Sequence, residues 1–210
     1  MEKNNILSEN QISKMKEDKE ILEFYLDKNC TSKFTAGLIE EINENSILIQ
    51  LLTPMGEYDG YMVKEPATIY RINSKTKYCY ALKELVNINK TAHNSIPQFT
   101  EDQFYNVAKY AFENKKVVSI EMNDSGRSDV IGIITNVTFD YVHINLLTEY
   151  GEPDGEGIIF LSDITQLICD SEDERKILLL HDFQKMGTNF WKSKMLIKRA
   201  VHMGGTHKTT

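Results

Sequence analysis

The stretch LLTPMGEYDG, Leu51 to Gly60, recurs 95 residues later as LLTEYGEPDG, Leu146 to Gly155, with seven of ten positions identical. The match extends outward without a gap. Setting Ala36–Ile72 against Ile131–Leu167 aligns Gly37 with Gly132, Ile39 with Ile134, Ile49 with Ile144 and Ile69 with Ile164. That makes eleven identities in thirty-seven positions, and six further pairs exchange one aliphatic residue for another. A glycine, a turn and strand-type alternation do not fall into register by chance, so the chain reads as an internal duplication.

Each copy carries the same order of local signals. Helices come first: Thr100-Glu101-Asp102-Gln103 reads as a capping box with Thr100 as the cap, and Phe104, Val107, Ala108, Ala111 and Phe112 form one apolar face. Ser8-Glu9-Asn10-Gln11, followed by Ile12 and Met15, is the weaker equivalent. Strands follow. Leu22, Phe24 and Leu26 alternate with Glu23 and Tyr25, and Val118, Ile120 and Met122 alternate with Ser119 and Glu121, which predicts one set in a core and the other toward water. Second strands are predicted around Thr35–Ile42 and Val130–Val137, third strands at Ser46–Thr53 and Tyr141–Thr148. Asp59-Gly60 and Asp154-Gly155 are expected to be the tight turns into the fourth strands, because Gly takes positive φ without a Cβ clash. Fourth and fifth strands span Tyr61–Ile72 and Glu156–Ile168. Closing helices are marked by Tyr78, Ala81, Leu82 and Leu85, and by the Ser171-x-x-Glu174 capping box with Ile177 and Leu178. The polar Asn87–Pro97 is the linker. Residues 1–90 then hold the first unit, 98–184 the second, and 185–210 a basic tail.

A helix followed by five short antiparallel strands, with a glycine in a long second strand, resembles the Sm-like or SH3-like small β-barrel. VVSIEMNDSGRSDVIGIITNVTFDYVHINLL is similar to the first Sm motif, with Gly132 at its glycine and Asp140-Tyr141-Val142-His143 over its Asp-x-aliphatic-Asn loop; IIFLSDITQLI is similar to the second motif. The resemblance implies an α+β, mainly β chain of two tandem five-stranded antiparallel barrels, each with an N-terminal and a C-terminal helix. It also implies RNA binding through that loop and a basic pair in the second motif. Here the residues depart from it: His143 stands where Asn is expected, Ser162-Asp163 replaces the basic pair, and the first unit has Asn45-Ser46-Ile47-Leu48 and Ala67-Thr68. An aspartate where a cation would meet phosphate reverses the electrostatics.

Charge points the same way. The chain carries 24 basic and 31 acidic residues, and no acid follows Lys185, so residues 1–184 hold 18 and 31, a balance of −13. A body that acidic repels phosphate at long range. The tail, with Trp191, Lys192, Lys194, Lys198 and Arg199, is its basic complement, able to dock on the body or to touch a partner.

Candidate binding loops are Glu57, Tyr58 and Asp59, the equivalent Glu152 and Asp154, and the Asp140, Tyr141, His143 segment. Two carboxylates in a hairpin are fewer than a calcium loop supplies. Cys30, Cys79 and Cys169 are too scattered for a disulfide framework or a zinc site. HExxH, GxSxG and GxxxxGK[ST] do not occur, so no enzyme, cofactor or metal is expected. No apolar run approaches the roughly 20 residues of a membrane span, and the start MEKNNILSENQISK is unlike a secretory signal. The expectation is a cytoplasmic, non-enzymatic protein-binding or scaffold module, using barrel edge strands to meet another protein or a second copy. An RNA-binding protein and an acidic neutraliser of a basic protein are the alternatives.

Overall fold

Among the described residues ten strands join edge to edge into one antiparallel sheet in the order β5-β1-β2-β3-β4-β10-β6-β7-β8-β9, whose ends do not meet. The computed structural model describes residues 9–91, 95–123 and 125–186, without the side chains of 9, 10 and 13. The first unit supplies α1 (Glu9–Glu17), β1 (Leu22–Tyr25), β2 (Thr35–Ile42), β3 (Ile47–Leu52), β4 (Tyr58–Lys64), β5 (Arg71–Ser74) and α2 (Lys77–Asn89). The second supplies α3 (Gln103–Glu113), β6 (Val117–Met122), β7 (Val130–Val137), β8 (Tyr141–Leu147), β9 (Pro153–Phe160), β10 (Ile164–Cys169) and α4, described over residues 172–186. The chain is mainly β, but two separate five-stranded Sm/SH3-like barrels with flanking helices are not what forms. Strand β4 of the first unit pairs along β10 of the second, Val63 opposite Leu167 and Met62 opposite Ile168, and this pairing merges the units into one open sheet.

The pairing register repeats along with the sequence. Gly37 lies opposite Leu51 and Gly132 opposite Leu146, and β2 and β7 bulge at the equivalent places, between Ile39 and Glu41 and between Ile134 and Asn136. Both glycines are required by close approach: a Cβ would drive into the carbonyl oxygen of Gln50 in one copy and Asn145 in the other.

The hairpin turn sits four residues earlier than expected. Thr53 N–H donates to Glu57 O and Thr148 N–H to Glu152 O, both at 2.9 Å, and the left-handed residues are Gly56 (φ 75°) and Gly151 (φ 78°). In each turn the Thr53 or Thr148 hydroxyl accepts two backbone N–H groups. Asp59-Gly60 and Asp154-Gly155 instead lie within β4 and β9, where the positive φ of each glycine marks a register shift.

Three further expectations are corrected. Asp102, not Thr100, caps α3, its carboxylate accepting Phe104 N–H at 2.9 Å. Glu23 and Tyr25 do not face water, since all of β1 is buried. Helix α2 continues to Asn89, three residues into the segment read as linker. Ser8, read as a cap, lies outside the described residues.

Both faces of the sheet are covered. Leu22, Phe24, Ile39, Ile47, Ile49 and Met62 form the first unit's core, to which Ile168 of the second unit adds. A larger core gathers α3, the inward faces of β6–β10, and Leu48, Tyr61 and Val63 from the first unit. Helix α3 thus packs on β7, β10 and β4 at once. On the opposite face α2 covers Ala36 and Leu52 through Leu82, and α4 covers Val117 and Leu147 through Ile177.

Candidate functional site

The β2–β3 and β7–β8 loops are built alike and turn toward each other. Asn43 Oδ1 accepts the N–H groups of Asn45 (2.9 Å) and Ser46 (2.8 Å), and Thr138 Oγ1 accepts those of Asp140 (3.3 Å) and Tyr141 (3.0 Å). Asn43 and Thr138 are equivalent positions, so two side-chain chemistries hold one loop shape. Asn43 Nδ2 also donates to Glu101 O at 2.6 Å, tying the first unit's loop to the start of α3. Leu161 N–H donates to Asp140 O, which brings in the β9–β10 corner.

Between these segments lies a cleft of about 960 Å³. Glu44, Glu65, Glu101, Asp102 and Asp140 line it, with Phe104, Phe139, Tyr141 and Phe160, and among the described residues none that line it is Lys, Arg or His. Two of the rings are held out in solvent. Phe139 is 70% exposed and stacks on Tyr105 at 4.7 Å; Phe160 is 55% exposed and meets Tyr141 edge-on at 6.4 Å. Asp102 is engaged in capping α3, while Glu44, Glu101 and Asp140 are exposed. A water-facing wall of carboxylates and aromatic faces, without cations, suits a positively charged, partly apolar ligand through charge and cation–π attraction.

The sequence-derived residues divide among three places. Asp140 and Tyr141 line the cleft, and His143 sits one ring further along β8, 5.3 Å from Tyr141. Tyr58 and Asp59 are at the junction of the units. Tyr58 O–H donates to Asp170 Oδ2 at 3.3 Å, its own ionisation pushed far up chiefly by burial, and Asp59 Oδ1 accepts Glu172 N–H at 2.7 Å from the first turn of α4 with Arg175 3.6 Å away. Glu57 is exposed beside them, while Glu152 and Asp154 are exposed at the tip of the β8–β9 hairpin. Trp191, Lys192, Lys194, Lys198 and Arg199 lie outside the described residues.

Sequence reasoning missed Phe139, Phe160, Glu44, Glu65 and Glu101. The alignment of the two copies did contain a signal, since Glu65 and Phe160 are equivalent, and so are the 43–46 and 138–141 loops.

A second groove, of about 510 Å³, runs along the β4–β10 junction at Met62, Lys64, Gln166 and Ile168, with Lys28, Lys33 and Arg127 on its exposed rim and Lys64 paired to Glu121 within it. Among the described residues no three His, Cys, Asp or Glu side chains converge as metal ligands, and no helix is long and apolar enough to cross a membrane. Cys30, Cys79 and Cys169 are free thiols, and burial pushes the Cys169 thiol well up, away from reactivity. No family model, curated protein or solved structure matches this chain.

Proposed function

We propose that this chain is a non-enzymatic, cytoplasmic protein-binding or scaffold module whose cleft between the 43–46 and 139–141 loops takes a basic, aromatic-tolerant segment of a partner protein. The observation that carries the reading is the cleft lining itself: five carboxylates and exposed Phe139 and Phe160, with no cation lining it among the described residues. Aromatic rings exposed beside a cleft and rimmed by charge fit an interaction site. Free cysteines fit a reducing compartment. Nucleic acid is the poorer ligand, since the cleft would repel phosphate.

Fluorescence anisotropy with a short labelled peptide of Lys, Arg and Phe tests this, with an acidic peptide and a mixed RNA pool as controls. The basic peptide binds and weakens with salt; joint Glu44→Lys and Asp140→Lys substitution lowers affinity about tenfold or more, as loss of complementary charge requires. Undiminished binding by that variant, or retention of the RNA instead, overturns the reading.

A further inference from the structure

The duplicated phrase does two jobs in the first copy and one in the second. Gly56 and Gly151 each press against the closing helix of their own unit, where a Cβ would meet Leu85 or the His181 N–H. Gly60, by contrast, presses on the second unit: a Cβ there would strike the backbone of Cys169, Asp170 and Ser171, just as β10 ends and α4 begins. Its neighbour Asp59 accepts from the first turn of α4. Among the described residues the identical Asp154-Gly155 has no such partner, and a Cβ on Gly155 would meet none of them within 4 Å.

The same vacancy runs along the strand. Most of β4 is buried because β10 pairs with it, whereas among the described residues β9, its equivalent, is bonded on one side only and mostly exposed, with Ile158 at 59%. At the far end of the sheet β5, the equivalent of β10, pairs among the described residues only with β1. The molecule therefore ends in the two halves of the contact that it makes once in its middle. Helix α1 agrees: its equivalent α3 buries Phe104, Val107, Ala108 and Ala111 partly by covering β4, while Ile12 and Met15 of α1 are only half-buried.

We infer that a second copy of this chain occupies the β9 edge, its β5 pairing along β9 as β10 pairs along β4, with Asp154 accepting the Lys77 N–H of the incoming α2 as Asp59 accepts that of Glu172. In that register Ile158 faces Ile72 as Val63 faces Leu167. Charge favours the match, since in that register Glu152, Asp154 and Glu156 on the β9 hairpin would meet Lys75 and Lys77 at the other edge. The contact is head-to-tail, so every copy added presents the same free edge again. This stands independently of the cleft.

Sedimentation velocity decides it. At about 100 µM, where a Kd of tens of micromolar already populates complexes, wild type runs as multiples of the 24.2 kDa chain. Asp154→Lys removes the acceptor and sets like charges together. Lys77→Pro deletes the donor at the first position of α2, where proline is tolerated and where Thr76 is already extended at ψ 165°. Each weakens association about tenfold or more while leaving the thermal midpoint within a degree or so. Each variant keeps the edge that the other lacks, so mixing the two restores a dimer and nothing larger. A wild type that stays at 24.2 kDa, or variants that fail to complement on mixing, overturns the inference.

Discussion

Lys64 Nζ lies 3.2 Å from Glu121 Oε2, and their side chains are 3% and 5% exposed, so a buried ion pair bridges β4 of one unit to β6 of the other across β10. Glu121 also accepts Gly126 N–H at 2.8 Å, which anchors the β6–β7 loop to the same point. Burying two charges gains little over a well-packed apolar pair, but stranding one is severe. Glu121→Leu is expected to cost about 3–5 kcal/mol, whereas Lys64→Met with Glu121→Leu recovers most of that loss. Denaturant midpoints of the three variants check it; a double variant as unstable as the single would show that the pair does more than cancel its own charges.

Because α3 packs on both units and the larger core draws Leu48, Tyr61 and Val63 from the first, neither unit keeps an intact core without the other. Unfolding is therefore expected as one cooperative transition. Gly60→Ala and Gly155→Ala separate the junction from mere strain. Both place a side chain at positive φ, 79° and 101°, at a cost of about 1–3 kcal/mol. Only Gly60→Ala also drives a methyl into the β10–α4 backbone, so it lowers the single midpoint distinctly further. Two resolved calorimetric transitions, or equal shifts for the two glycines, would contradict this.

Glu40, in the β2 bulge, is 8% exposed, and its carboxyl is pushed up to about 7, mainly by burial that the Lys19 and Lys16 charges only partly offset. A group raised in the folded state from an ordinary 4.5 stabilises the fold fully below pH 4.5, and that contribution is lost as pH rises through about 7. The effect is on the order of 1 kcal/mol once partial solvent screening is allowed for. Glu40→Gln is expected to raise stability at pH 8 and to flatten the slope between pH 5 and 8, measured by urea unfolding at several pH values. An unchanged slope would mean that Glu40 titrates as it does in the unfolded chain.

The places of the first three strands of each unit, the doubled register and the order of helices and strands were legible because they rest on periodicity and on glycine, which act locally. The joining of the units was not. Val63 and Leu167 are ordinary strand residues, and nothing in their own neighbourhoods says that they pair with each other rather than closing their own units. The misplaced turn has a similar origin: Asp-Gly is a strong hairpin signal, yet the Thr53 and Thr148 hydroxyls hold the chain in a turn a few residues sooner. Half of the cleft was visible as the Asp140-Tyr141 loop. The rest required knowing that the 43–46 loop and the start of α3 arrive beside it, which Asn43 and Glu101 settle in three dimensions, 58 residues apart.

The two units hold their closing helices to the sheet with the same chemistry written in opposite directions. In the first, Glu23 on β1 is the acceptor: Thr76, the α2 cap, donates at 2.5 Å, Asn73 at 2.8 Å and Tyr25 at 2.9 Å, while Cys79 Sγ is 3.9 Å away. Burial pushes the Glu23 carboxyl up, but these donors outweigh it and hold it below the ordinary value. In the second unit Ser119 stands at the position of Glu23 and Glu174 at that of Cys79, so the carboxylate comes from the helix, and Ser119 Oγ donates to it at 2.6 Å. Each unit thus buries one carboxylate at this spot, and the pair of residues exchanges as a set. Glu23→Ser strands three donors and is expected to cost about 1–3 kcal/mol; Cys79→Glu puts a second buried carboxylate beside the first and costs at least as much. Glu23→Ser with Cys79→Glu installs the second unit's arrangement in the first, with similar total volume, and should regain about 1 kcal/mol or more over the sum of the singles. A double-mutant cycle by chemical denaturation measures that coupling directly. Additive losses would mean that the donors around Glu23 find other acceptors, and that the exchange between the copies is coincidental.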